Sequence, residues 1–156
     1  MNTIYFERSA LYYACIEKCI ELVQLLLDSG SDPDLLYPDG YALLLVLVLE
    51  TCQTHSNYTS YINLLLNRGA NINIAHSYTG QTALMLAATN SWAAADNIDL
   101  VELLLQHGAD VTQVNKEGEC VLDMLAVDET GPRTKAAELC ELYKDSNRVD
   151  AKAILK

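Results

Sequence analysis

The chain has 156 residues, 51% of them hydrophobic, with a formal net charge of −11 and five cysteines. That content suits one domain with a sizeable core and argues against a disordered chain, while acidity on this scale would repel phosphate backbones and so excludes nucleic acid as a partner. The longest apolar run, Tyr41 to Leu49, is far too short to span a bilayer, so no membrane is expected.

Met1 lies only eight residues ahead of Ser9, which leaves no room for a signal peptide and makes a cytoplasmic location the expectation. Ser9 is the predicted N-cap of a first helix, because its hydroxyl can accept a backbone N–H bond. A second helix starts at Glu21 and carries the run Leu25-Leu26-Leu27. Gly30 ends it by supplying a left-handed C′ residue, and Asp32-Pro33-Asp34 turns the chain outward. Next comes the turn Tyr37-Pro38-Asp39-Gly40, then Ala42 to Leu49, a helix apolar all round that has to be covered on both sides.

The helix-and-glycine pattern then recurs. Its copies start at residues 21, 60, 99 and 138, a constant step of 39, and the glycines fall at 30, 69 and 108. At 147 the chain offers Asn, the next best C′ residue. Ahead of each copy stands an apolar block, opening at Ser9, Ala42, Thr82 and Cys120, the last three twelve or thirteen residues after a glycine. A fixed period of this size marks stacked units that can bury their apolar faces only against one another. From the second unit onward the segment between the two helices is longer, at about 50–59, 89–97 and 127–137. Such loops should line up as one edge carrying His55, Tyr58, Trp92 and Pro132. Beyond Asn147 the pattern is too weak to distinguish a last short helix from a frayed end.

The stretch Gly80-Gln81-Thr82-Ala83-Leu84-Met85-Leu86-Ala87-Ala88, followed by Leu103-Leu104-Leu105-Gln106-His107-Gly108-Ala109-Asp110-Val111, closely resembles the ankyrin repeat. The resemblance covers about residues 5–147. It implies an all-α solenoid of stacked helix-turn-helix units with finger turns and elongated inter-helix loops. One domain, 1–156, would hold repeats at about 4–36, 37–76, 77–114 and 115–147, with a C-terminal cap or tail at 148–156. The family's Thr-Pro-Leu-His becomes Ser-Ala-Leu-Tyr, Ala-Leu-Leu-Leu, Thr-Ala-Leu-Met and Cys-Val-Leu-Asp here, so the usual Thr–His hydrogen-bond network is expected to be missing.

The resemblance also implies protein binding in a concave groove lined by fingers and first helices. Matched position by position, that groove would hold Tyr5, Phe6, Arg8, Asp39, Tyr41, Leu49, Glu50, Tyr78, Gln81, Asn90, Glu117 and Glu119. Trp92, on the loop edge, is a rival anchor. Aromatic anchors ringed by carboxylates suit a basic protein partner.

Catalysis needs a nucleophile with a base in reach, paired carboxylates in a cleft, or a metal cluster. The three histidines, His55, His76 and His107, fall in unlike contexts, and no Gly-rich phosphate loop is present. Cys15, Cys19, Cys52, Cys120 and Cys140 include no Cys-x-x-Cys pair, so they read as reduced, buried thiols and not as zinc ligands. No catalytic residue, metal or cofactor is expected, and the chain reads as a non-enzyme. The expected function is a small stand-alone adaptor or inhibitor, monomeric, bound to a basic protein. A cytoplasmic immunity protein neutralising a toxin and a structural fragment of a longer array are the alternatives.

Overall fold

A computed structural model describes residues 8–54, 58–89, 98–125 and 135–154, without the side chains of residues 53, 54 and 146–154. Eight helices follow one another: α1 (Ala10–Ile16), α2 (Ile20–Asp28), α3 (Leu43–Thr54), α4 (Thr59–Asn67), α5 (Ala83–Thr89), α6 (Ile98–Gln106), α7 (Val121–Leu125) and α8 (Lys135–Ile154). They form four antiparallel pairs. Packing of α3 on α5, α5 on α7 and α6 on α8 joins the last three pairs into a stack, and Leu11, Cys15 and Val23 tie the first pair into the same core. No strand occurs among the described residues; each finger is closed by one antiparallel bridge, Leu36 with Ala42, Ala75 with Thr82 and Val114 with Cys120.

Local signals set the helix ends. Ser9 Oγ accepts the Tyr12 N–H at 3.2 Å and caps α1. Gly30, Gly69 and Gly108 sit at φ 86°, 88° and 83°. Each donates to the carbonyl three residues back, and the residue after it donates five residues back (Ser31 to Leu26, Ala70 to Leu65, Ala109 to Leu104). These are the paired bonds of a left-handed helix stop.

Asn147 does not act as a stop. The helix α8 runs through it to Ile154, which corrects the expectation of a helix end there. A left-handed residue with a Cβ costs about 1–2 kcal/mol, and the following Arg148 to Ile154 holds neither Gly nor Pro to impose a break. A second correction concerns 50–59, expected as loop. Most of it is helix, because Leu45, Val48 and Cys52 continue one buried face and carry α3 to Thr54.

The all-apolar helix is covered as expected: Leu43, Leu44, Leu45, Leu47 and Val48 are buried. Cys15, Cys52 and Cys140 are buried too, whereas Cys19 is exposed and Cys120 half-buried. Burial pushes the Cys15 thiol up to about 12 and the Cys140 thiol up to about 11, with neighbouring Cys120 adding to the latter, and it raises Cys52. Since the thiolate is the reactive form, iodoacetamide at about pH 8 should modify Cys19 in the native chain and leave Cys15, Cys52 and Cys140 intact until denaturant is added. Peptide mass spectrometry reads this directly, and equal labelling of Cys15 and Cys19 would contradict the packing. No described helix is long and apolar enough to cross a membrane.

Candidate functional site

Three fingers project from the stack at 37–41, 76–81 and 115–119. In each, the opening residue's N–H meets the closing residue's carbonyl: Tyr37 with Tyr41, His76 with Gln81 and Asn115 with Glu119, all at 2.9 Å. The middle finger encloses four residues, Ser77-Tyr78-Thr79-Gly80, where its neighbours enclose three. This extra residue is the one that lengthens the glycine-to-helix spacing from twelve to thirteen. It carries Tyr78 outward, 65% exposed.

Backbone bonds register the fingers against one another. Ser77 N–H donates to Gly40 O and Lys116 N–H to Thr79 O, both at 2.9 Å. Side chains reinforce this, with Tyr78 Oη donating to Pro38 O at 3.1 Å and Lys116 Nζ to Ser77 O at 2.5 Å.

Buried His76 is the hub between the first two fingers. Thr79 N–H donates to its Nδ1 at 3.2 Å, so in the neutral ring the proton resides on Nε2, which donates to Asp39 O at 3.0 Å. Thr79 Oγ1 lies 2.9 Å from the same Nδ1. The Thr–His network expected to be missing is thus replaced by a finger-borne His76–Thr79 pair, which amends that expectation. The His76 ring also packs against Tyr41 at 4.2 Å and meets Tyr78 edge-on at 5.7 Å between centroids. Tyr41 and Tyr78, on neighbouring fingers, are therefore brought together with His76 between them.

The first-finger residues expected to bind are engaged within the fold. The Arg8 guanidinium lies 4.9 Å from the Tyr12 ring centroid and 4.5 Å from that of Tyr37, and it forms an ion pair with Asp39. Asp39 Oδ1 also accepts the Tyr41 N–H at 3.3 Å. A carboxylate already facing a guanidinium attracts incoming cations weakly. Leu49 and Glu50 are half-buried on α3, Leu49 against the core. The expectations for Tyr5, Phe6, His55, Asn90, Trp92 and Pro132 lie outside the described residues.

Four expected residues, Tyr78, Gln81, Glu117 and Glu119, converge on an open cleft of about 220 Å³ between the second and third fingers, floored in part by Met124. Asn115 organises its far wall. Its Oδ1 accepts the N–H groups of Glu117 at 2.9 Å and Glu119 at 3.0 Å, while its Nδ2 donates to Glu119 Oε2 at 3.2 Å. The nearby Lys116 ammonium is turned to the Ser77 carbonyl. The charged lining of the cleft is Lys116, Glu117 and Glu119, beside the Tyr78 phenol. Among the described residues no group of three or more His, Cys, Asp or Glu is placed to hold a metal ion.

Sequence reasoning overlooked Asn115 and Met124, and also the exposed aliphatics Leu36 and Val114 at the finger bases. A signal existed: positions 36, 75 and 114 recur at the same step of 39.

The family model for three copies of the ankyrin repeat matches residues 49–150, and that for a single ankyrin repeat matches residues 6–37. Among curated proteins, an ankyrin repeat and KH domain-containing protein of Caenorhabditis briggsae is 30% identical over 80% of this chain and 5% of its own length. A B-cell lymphoma 3 protein homolog of Mus musculus is 30% identical over 74% of this chain and 24% of its own. The chain therefore spans under a quarter of either relative. The crystal structure of the ankyrin repeat domain of Bcl-3, a member of the IkappaB protein family, superposes with a TM-score of 0.67 at 29% identity, covering 86% of this chain and 51% of that one.

Proposed function

Because the chain belongs to the ankyrin repeat family, whose repeats serve as protein–protein interaction modules, we propose that it binds a protein partner on its finger face. The cleft bounded by Tyr78, Gln81, Glu117 and Glu119 carries this reading. A lysine or arginine entering it would meet two carboxylates and the face of an exposed phenol, which together favour a desolvated cation. Leu36 and Val114 offer aliphatic contact at the bases of the first and third fingers. Charge supports a basic partner: residues 1–132 hold 17 acids and 4 bases, a net of −13. In this reading the protein acts by occupancy, as an adaptor or an inhibitor.

The test uses the partner recovered from native lysate on immobilised protein and eluted with salt. Tyr78→Ala should raise its dissociation rate by about tenfold or more, the scale of an aromatic anchor. Glu117→Gln with Glu119→Gln should mainly lower the association rate and flatten its salt dependence. Tyr41 packs on His76, and Tyr78 meets the same ring and bonds Pro38 O, so Tyr78→Ala is compared with Tyr41→Ala and the fold of each is checked by circular dichroism. Retention of binding by both variants, with loss on Trp92→Ala, would move the site to the inter-helix loops.

A further inference from the structure

We infer that the cleft between the second and third fingers selects arginine over lysine, so that the partner is a protein presenting an exposed arginine side chain; this rests on the finger-face reading and narrows it. Charge sets the number of cations. The ionised groups of the lining are Lys116, Glu117 and Glu119, one positive and two negative, so a single monovalent cation brings the lining to neutrality. Lys116 does not meet that need from within. Its Nζ donates to Ser77 O on the neighbouring finger at 2.5 Å, and among the described residues neither glutamate forms an ion pair.

Geometry chooses between the two side chains. Tyr78 Oη donates to Pro38 O at 3.1 Å, and the ring meets His76 edge-on at 5.7 Å. The phenol is thus held at its tip and its rim while remaining 65% exposed. A ring fixed in this way offers a platform for a flat cation at little cost in side-chain freedom. On the other wall, Asn115 Nδ2 donates to Glu119 Oε2 at 3.2 Å, which sets the direction of that carboxylate and leaves its second oxygen outside the bond. Gln81 adds a side-chain carbonyl on the Tyr78 side, and half-buried Met124 supplies an apolar floor.

A guanidinium has the shape to use these together: a face for the phenol, in-plane N–H groups for the carboxylate and the amide, and an apolar stem for Met124. An ammonium has donors but no flat face, and it is the more strongly hydrated cation. In a cleft open to water it gains little by shedding that hydration. An anion would face the two glutamates, and an apolar side chain would find one ring and one thioether among polar neighbours.

The test titrates the full chain with N-acetyl-arginine amide and N-acetyl-lysine amide, each to about 50 mM at constant ionic strength, while backbone amide shifts are followed by NMR. Arginine should move the amides of residues 79–81 and 115–119 saturably, and bind at least about threefold more tightly than lysine. Tyr78→Leu should bring arginine down to the level of lysine and leave lysine unchanged. Should that change disturb the finger, as amide dispersion would report, Glu119→Gln keeps the acceptor for Asn115 and should still weaken arginine. Equal affinities for the two probes, or no saturable shift of these amides by arginine, would overturn this inference. The finger-face reading fails separately, when the recovered partner still binds after the Tyr78 and glutamate changes described above.

Discussion

Leu104→Ala is expected to cost about 2–5 kcal/mol and to lower the stability of the whole array, not of α6 alone. Leu104 is fully buried. The Ala109 N–H also bonds the Leu104 carbonyl in the helix stop, at 3.1 Å. Deleting its branched end leaves a cavity where α6 meets α5 and α8, both of which pack on it. Since neighbouring pairs share that surface, their stabilities fall together. A urea titration followed by far-ultraviolet dichroism should keep a single transition with a lower midpoint. An unchanged midpoint would mean that Leu104 is not in the core.

Gly80→Ala should be more harmful than Gly108→Ala, although both positions are left-handed, at φ 74° and 83°. The backbone conformation alone costs an alanine about 1–2 kcal/mol. At Gly108 the cost ends there, because nothing lies within 4 Å of the added Cβ. At Gly80 the Cβ would stand 2.8 Å from the Lys116 backbone nitrogen and 3.2 Å from Asn115 C and Cα. Backbone cannot swing aside like a side-chain tip, and moving it breaks the 2.9 Å bond from Lys116 N–H to Thr79 O. Overpacking of this kind adds about 1–3 kcal/mol. The substitution should also spoil the cleft, which Lys116 and its neighbours line. Equal urea midpoints for the two variants would show that the fingers are slack.

The proposed binding surface was only partly legible in the chain. Tyr78, Gln81, Glu117 and Glu119 could be placed on the finger face because finger positions recur with the repeat. That Arg8 and Asp39 neutralise each other could not be foreseen, since they are 31 residues apart and nothing local couples them. His76 looked unremarkable beside Ser77. Its role depends on the Asp39 carbonyl, 37 residues earlier, arriving within hydrogen-bond distance.

What the sequence by itself determined is the one-dimensional order: a step of 39, the helix stops at Gly30, Gly69 and Gly108, the Ser9 cap, and the burial of an all-apolar α3. These are written locally, in capping chemistry and in a spacing that repeats, and each can be read within a few residues. The tertiary structure decided the rest. It paired Asp39 with Arg8, brought the Tyr78 hydroxyl to the Pro38 carbonyl, and set Glu117 and Glu119 across a cleft from Tyr78. Those outcomes turn on distances between residues roughly one repeat apart, which exist only once the fingers have stacked.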